Sequence, residues 1–207
     1  MCGIAGIVDF GQPPTRETIA RMTDLIRHRG PDDEGIALLG PAGLGHRRLA
    51  IIDLSPAGHQ PMTFEEAGLT VTFNGEIYNY QDVKAELEAR GDTFRSRSDT
   101  EVILHAYRAW GVDCLAKLNG MFAFAIWDAG RQALFAARDR LGKKPFFYTV
   151  ADGVLHFASE LPALRLTPGW RGDVDLTALE GYLSLGYFLA PSTAYRNVFK
   201  LPPGHWL

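Results

Sequence analysis

The chain opens with Met1-Cys2-Gly3-Ile4-Ala5-Gly6-Ile7-Val8-Asp9-Phe10. Its apolar residues Ile4, Ile7 and Val8 are separated only by alanine and glycine, a pattern typical of a strand buried on both faces. We therefore expect this terminus to lie inside the fold. Removal of Met1 would place a thiol and a free α-amino group together on Cys2. An amine with a reference pKa of about 7.7–8.0 can act as a base toward that thiol at neutral pH.

The composition is that of an ordinary globular protein. The 207 residues are 46% hydrophobic and 22% charged, with a formal net charge of −3. This charge gives no reason to expect nucleic acid or an anionic membrane as a partner, and no apolar run approaches the roughly 18 residues of a membrane span. The two cysteines, Cys2 and Cys114, do not form a disulfide framework. We expect a cytoplasmic enzyme or binding domain.

The first half of the chain is predicted to alternate between helices and strands. Thr15 is expected to cap a helix that Gly30-Pro31 ends. Predicted strands cover residues 34–39 and 43–53, with a turn between them, and residues 69–73. Asn74-Gly75 then predicts a hairpin turn. Two further helices are predicted to start at a cap on Asn79 and at the capping-box spacing of Ser98-Asp99-Thr100-Glu101.

The second half is dominated by strands. From Met121 the apolar period is two, so that Phe122, Phe124 and Ile126 share one face and Ala123, Ala125 and Trp127 the other. Four strands at 121–127, 133–137, 146–150 and 154–158 are interpreted as one antiparallel meander, and Leu176, Leu179 and Leu183 as a last helix. Helices and antiparallel strands in blocks predict an α+β fold with sheets covered by helices.

Few other residues suggest chemistry on their own. Cys114 is interpreted as a buried apolar residue, and the six histidines have no metal-ligand spacing. The loop from Arg138 to Lys144 is interpreted as solvated, with an anion site as the alternative. No phosphate-binding loop or nucleophile-elbow motif is present.

A family resemblance emerges when the motifs are taken together and in order. They are Met-Cys-Gly-Ile at the start, Arg29-Gly30-Pro31-Asp32, His46-Arg47-Arg48-Leu49, Phe73-Asn74-Gly75-Glu76-Ile77-Tyr78-Asn79 and Ser98-Asp99-Thr100-Glu101. This series resembles the glutaminase domain of class II glutamine amidotransferases. The segments 118–128 and 138–145 are similar to those of glutamine-hydrolysing asparagine synthetases. The resemblance extends over nearly the whole chain.

The resemblance implies an N-terminal-nucleophile hydrolase fold, a four-layer αββα sandwich of two antiparallel sheets between helical layers. It also implies that glutamine is hydrolysed to glutamate and ammonia through a Cys2 thioester. The side-chain amide of Asn74 and the backbone N–H of Gly75 would stabilise the oxyanion.

The same resemblance indicates which residues would bind the charged groups of glutamine. Arg48 would bind the α-carboxylate of glutamine, and Asp99, with Glu76 near it, the α-ammonium. A zwitterion needs opposite charges at opposite ends of its site, and these residues supply both.

We expect residues 1–195 to form the glutaminase domain and residues 196–207 to begin a linker toward an absent synthetase domain. The ammonia would serve ATP-dependent conversion of aspartate to asparagine in that domain or in a separate subunit. The glutaminase domain needs no cofactor or metal, whereas ATP and Mg are expected for the missing part only. A different amide acceptor and a non-catalytic module that binds glutamine or a partner are the alternative functions, and a homodimer is included among the expected partners.

Overall fold

The structure is a computed structural model that describes residues 1–207, and it contains ten strands and six α-helices. The strands are β1 (Gly3–Val8), β2 (Asp33–Leu39), β3 (Ala42–Arg48), β4 (Met62–Phe64), β5 (Leu69–Ile77), β6 (Gly120–Asp128), β7 (Ala133–Arg138), β8 (Phe147–Ala151), β9 (Val154–Ala158) and β10 (Phe199–Lys200). The helices are α1 (Arg16–Asp24), α2 (Tyr80–Glu88), α3 (Asp99–Trp110), α4 (Cys114–Lys117), α5 (Leu161–Leu164) and α6 (Leu176–Leu185). None of these helices combines the length and the apolar character needed to cross a bilayer.

All strands pair antiparallel in two sheets. One has six strands in the order β10-β8-β9-β1-β3-β2, and the other has four in the order β4-β5-β6-β7. The N-terminal strand β1 lies between β9 and β3, and every one of its residues is buried. The expected burial of this strand is therefore confirmed, while Met1 in front of it is 57% exposed.

The two faces of β6 enter different cores, as its period of two predicts. Ala123, Ala125 and Trp127 pack between the sheets, against Ile4 of β1 and Leu44 of β3. The opposite face contributes Phe122, Phe124 and Ile126 to a second core beneath α2 and α3. A third core joins the outer face of β1 to α1 and α5. The layers are thus helix, sheet, sheet, helix, which confirms the predicted αββα sandwich.

The single meander predicted for the second half is wrong. The hairpins β6–β7 and β8–β9 both form, but the first belongs to the four-stranded sheet and the second to the six-stranded sheet. The chain crosses between the sheets at residues 139–146. Hairpins were predictable from alternation and turn residues, whereas their sheet membership depends on contacts distant in sequence.

The prediction of a hairpin turn at Asn74-Gly75 is also wrong, because β5 runs through both residues and pairs continuously with β6. Gly75 lies opposite Phe122, and a Cβ at Gly75 would lie 2.3 Å from the carbonyl oxygen of Met121. The glycine here permits a close approach of two strands and does not reverse the chain.

Two predicted elements are longer than the observed ones. Strand β3 ends at Arg48 and not at the predicted residue 53. Helix α1 ends at Asp24, before the predicted stop at Gly30-Pro31. The apolar run after Arg48 leaves the sheet, with Ile51 67% exposed. A short 3₁₀ turn at Arg27–Arg29 occupies the rest of the predicted helix.

The helix caps follow the predictions in part. Thr15 and Ser98 accept hydrogen bonds from the first turns of α1 and α3. Glu101, the expected partner in a capping box, instead accepts from the backbone N–H groups of Arg95 and Ser96. Asn79 stands before α2 without a side-chain cap, because its amide bonds across to Lys117 and Asn119.

The segment predicted to begin a linker is integrated into the fold. Strand β10 pairs with β8, and Val198 and Leu201 are buried in the cores. The terminal Leu207 exchanges backbone hydrogen bonds with Ala136.

Candidate active site

One cavity of about 160 Å³ is lined by all six residues that the resemblance selected. Cys2 precedes β1 and Arg48 ends β3, so the six-stranded sheet supplies the thiol and one cation. The segment 74–76 of β5 and the start of α3 supply the remaining four, namely Asn74, Gly75, Glu76 and Asp99. A larger cavity of about 390 Å³ between β4 and α3 contains neither cysteine.

Hydrogen bonds hold both the sulfur and the carbonyl group of Cys2. Its sulfur accepts a hydrogen bond from the N–H of Leu49 at 3.4 Å and donates to the carbonyl of the same residue at 3.6 Å. The guanidinium of Arg29 donates to the Cys2 carbonyl at 2.9 Å and is itself paired with Glu160 at 2.8 Å. Burial raises the pKa of the Cys2 thiol, although Leu49, Arg48 and Lys144 oppose the shift. The sulfur therefore needs a base before it can act as a nucleophile.

Two hydrogen-bond donors face the cavity from β5. The Nδ2 of Asn74 has no partner in the protein, although the residue is only 1% exposed. A buried donor left unpaired costs free energy, so such a group is expected to serve a ligand.

The N–H of Gly75 is the second donor. Phe122, its neighbour on β6, uses its own N–H and carbonyl in hydrogen bonds to Asp139, so the Gly75 N–H points away from β6. It shares this edge of β5 with the N–H groups of Phe73 and Ile77, which bind Gln60 and Asp99.

Arg48 supplies the positive end of the cavity. It is buried, and its guanidinium donates to the carbonyl of Ser55 at 3.2 Å and to that of Asp53. Neither contact neutralises its charge. Its neighbour Arg47 points to the opposite face of β3 and forms ion pairs with Asp24 and Glu34.

Asp99 and Glu76 supply the negative end. Asp99 lies in the first turn of α3 and accepts a hydrogen bond from the N–H of Ile77 at 2.9 Å. Burial, with a smaller contribution from Glu76, raises the pKa of Asp99 to about 6, and the Ile77 N–H opposes the shift. A buried carboxylate without a cationic partner fits an incoming ammonium group.

Sequence reasoning missed two residues that line this cavity, Lys144 and Gln60. Lys144 is only 6% exposed and no protein group bonds its ammonium, so the solvated interpretation of its loop is wrong at this residue. The loop is ordered by Asp139, whose buried carboxylate accepts from four backbone N–H groups, those of Phe122, Leu141, Lys143 and Lys144. In the sequence, the motif Arg138-Asp139-Arg140 followed by Gly142 was the available signal that this loop is structured.

The cavity therefore combines a thiol, two hydrogen-bond donors without a protein partner and opposite charges at separate positions. No group of three or more His, Cys, Asp or Glu side chains is arranged to hold a metal ion.

Comparison with known proteins gives concordant results. Residues 1–207 match the family model described as "Glutamine amidotransferase domain". "Asparagine synthetase [glutamine-hydrolyzing] 3" of Bacillus subtilis is 45% identical over 212 residues, which cover 100% of this chain and 34% of that protein. "Asparagine synthetase [glutamine-hydrolyzing] 1" of the same organism is 41% identical, covering 99% of this chain and 33% of that protein. The chain thus spans about a third of the length of these relatives.

Among solved structures, the fold is similar to that of glutamine phosphoribosylpyrophosphate amidotransferase from B. subtilis in complex with ADP and GMP. The TM-score is 0.68 at 23% identity, with 80% of this chain and 43% of that chain covered.

Proposed function

Because this chain belongs to the family of glutamine amidotransferase domains, we propose that it hydrolyses the side-chain amide of glutamine with Cys2 as the nucleophile. The observation that carries the proposal is the unpartnered Nδ2 of buried Asn74 in the cavity that also holds the Cys2 thiol. An oxyanion hole requires donors that the resting protein leaves free.

The first step forms a thioester. Once Met1 is removed, the α-amine of Cys2 takes the thiol proton while the sulfur attacks the amide carbon, and the carbonyl oxygen becomes an oxyanion. The N–H of Gly75 and the side-chain amide of Asn74 donate to that oxygen. The protonated amine then gives its proton to the departing nitrogen, so that the C–N bond breaks and ammonia leaves.

The second step returns the enzyme to its starting state. Water attacks the γ-glutamyl thioester, and the same amine accepts the proton of the water. The C–S bond breaks, the protonated amine returns that proton to the sulfur, and glutamate is released from the restored thiol. Because burial raises the pKa of Cys2, a base on the same residue meets the chemical need of both steps.

Substrate binding follows from the charges. Arg48 holds the α-carboxylate of glutamine, and Asp99, assisted by Glu76, holds the α-ammonium. This orientation directs the side-chain amide toward Cys2.

We extend the proposal to the fate of the ammonia. Two relatives named as glutamine-hydrolysing asparagine synthetases support transfer to a synthetase domain or subunit that amidates aspartate. We propose that ATP and Mg are needed by that synthetase part alone. A cytoplasmic location fits the two unpaired cysteines. A different acceptor and a non-catalytic binding role are the competing hypotheses for the function, and a homodimer is a separate proposal about assembly.

The central test compares the two cysteines in protein from which Met1 has been removed, as intact mass verifies. We expect Cys2→Ala to abolish release of glutamate and ammonia while circular dichroism and Tm stay close to wild type. Cys114→Ala is the control, because Cys114 is buried in the helical core and lies outside the cavity. Undiminished hydrolysis by Cys2→Ala would remove this residue from the mechanism.

A diazo ketone analogue of glutamine provides a readout that does not require turnover. We expect one adduct per chain, located on Cys2 by peptide mapping. Binding of glutamine without hydrolysis or labelling would favour the non-catalytic role.

A further inference from the structure

The free edge of β5 beside the cavity has an unusual hydrogen-bonding arrangement. Strand β4 pairs only with residues 69–71 of β5, so no strand covers the segment from Phe73 to Ile77 on that side. Side chains take its place. Gln60 accepts from the N–H of Phe73 at 2.7 Å, and Asp99 accepts from the N–H of Ile77 at 2.9 Å. The N–H of Gly75 lies between these two groups and is left to the cavity.

Gln60 makes a second contact at the other end of the site. Its Nε2 donates to the hydroxyl of Thr100 at 3.2 Å, and Thr100 follows Asp99 in the first turn of α3. The two bonds define the orientation of the amide, because only the oxygen can accept from Phe73 and only the nitrogen can donate. Gln60 is 5% exposed and lines the cavity.

The carbonyl of Phe73 is held independently. It accepts from the Nε2 of buried His46 of β3 at 3.0 Å. Phe73 immediately precedes Asn74, so its backbone is tied to β3 by one bond and to α3, through Gln60, by the other. Only the second tie reaches the residues expected to bind the ammonium group.

We propose that Gln60 is a positioning residue that keeps the oxyanion donors of β5 and the ammonium site at the start of α3 at a constant separation. Its two hydrogen bonds connect Phe73, the residue before Asn74, to Thr100, the residue after Asp99. The inference rests on the proposed glutaminase function, and it adds a residue that does not itself contact the reacting atoms.

Three variants separate the contributions of the two bonds. Gln60→Leu removes both bonds at similar volume, and we expect kcat to fall about tenfold to a hundredfold, since small displacements of catalytic groups have effects of this size. Thr100→Val removes only the bond toward α3, so KM should rise while kcat stays within about threefold. Gln60→Glu keeps an acceptor for the Phe73 N–H and should retain most of kcat.

Thr72→Val is the matched control. Thr72 lies on the same strand, is fully buried and donates to the carbonyl of Gly45 at 3.1 Å, but it does not line the cavity. The Thr72→Val substitution should lower Tm and leave kcat close to the wild-type value. If Gln60→Leu changes kcat and KM no more than Thr72→Val does, or if Gln60→Glu loses as much kcat as Gln60→Leu, the positioning role is overturned.

Hydrogen exchange of the backbone amides gives a result independent of catalysis. Gln60→Leu should specifically accelerate exchange at Phe73, and unchanged protection there would also overturn the inference. Absence of hydrolysis by the wild-type chain, with this deprotection still observed, would instead contradict the proposed function.

Discussion

At the residue scale, burial raises the pKa of both Cys2 and Asp99, with different consequences. The thiol stays protonated at neutral pH and depends on a base. Asp99, with a pKa of about 6, is mostly ionised at neutral pH and becomes neutral in mildly acidic solution. Under the proposed function, the carboxylate of Asp99 would therefore attract the ammonium group of glutamine above about pH 6 and not below it.

We predict that kcat/KM for glutamine falls as the pH drops through about 6, since only the ionised Asp99 attracts the ammonium group and kcat/KM reports the free enzyme. Asp99→Asn should lower kcat/KM by about a hundredfold at neutral pH, as loss of a buried ion pair does, and should abolish this acidic limb. A steady-state pH profile checks both. An acidic limb that survives in Asp99→Asn would assign it to another group.

The stability of the same variant tests the cause of the shift. Because the folded-state pKa of Asp99 is raised from 3.8 to about 6, the folded protein holds this proton more tightly. The carboxylate therefore destabilises the fold progressively as pH rises from about 4 to 6 and fully above it. Asp99→Asn should gain about 2–3 kcal/mol near neutral pH and little near pH 4, measured by urea unfolding.

Arg48→Ala should raise KM more than it lowers kcat, because the carboxylate contact is present in the ground state and the transition state alike. The increase should be about a hundredfold, and part of it reflects release of the loop carbonyls of Asp53 and Ser55. Steady-state kinetics distinguish the two constants. Arg47→Ala is the control, expected to lower Tm and leave KM unchanged, since Arg47 pairs with Asp24 and Glu34 on the other face. A defect confined to kcat would show that the Arg48 contact is misassigned.

At the element scale, β5 contributes both to the hydrophobic core and to the lining of the cavity, through adjacent residues. Its Phe73 side chain packs in the core beneath α2 and α3, and the next two residues present donors to the cavity. The dipeptide Asn-Gly favours a turn in isolation, but nine consecutive pairs with β6 outweigh that preference. The donors of Asn74 and Gly75 are therefore positioned by the sheet and not by a loop.

Gly75→Ala should therefore destabilise the protein by about 3 kcal/mol or more and lower hydrolysis at least tenfold, because the new Cβ would meet backbone atoms of β6. Thermal unfolding and initial rates check the two effects. In Gly181→Ala, within α6, nothing lies within 4 Å of the added Cβ, and a small gain in stability is expected. Equal Tm values for the two variants would contradict the close approach of β5 and β6.

At the scale of the whole molecule, the crossing between the two sheets depends on one carboxylate. Asp139 is 1% exposed and accepts from four backbone N–H groups, and its own carbonyl accepts from the N–H of Gly204. It ties the end of β7 to the start of β6, to the loop toward β8 and to the C-terminal segment.

Asp139→Ala should lower the free energy of unfolding by about 3 kcal/mol or more, because several buried N–H groups lose their acceptor at once. Urea denaturation measures the loss. Asp173→Ala serves as the control, since the exposed side chain of Asp173 makes only a surface ion pair, and the hydrogen bond that its backbone carbonyl accepts from Arg196 does not depend on that side chain. A loss below about 1 kcal/mol would show that water replaces the carboxylate without difficulty.

The sequence by itself determined most of the local elements, and it selected six candidate site residues that the structure places around one cavity. Interactions between near neighbours produce the alternation along β6, the cap at Thr15 and the hairpin turn after Asp128. The motifs, taken in order, grouped Cys2, Arg48 and Asp99 as one set.

Only the tertiary structure decided how those elements combine. It assigned the two hairpins to different sheets and extended β5 through Asn74-Gly75. It also ended β3 at Arg48 and brought Gln60 and Lys144 into the cavity. Each of these outcomes depends on burial and hydrogen bonding between segments far apart in the chain, and those long-range terms exceed the local propensities from which a single sequence is interpreted.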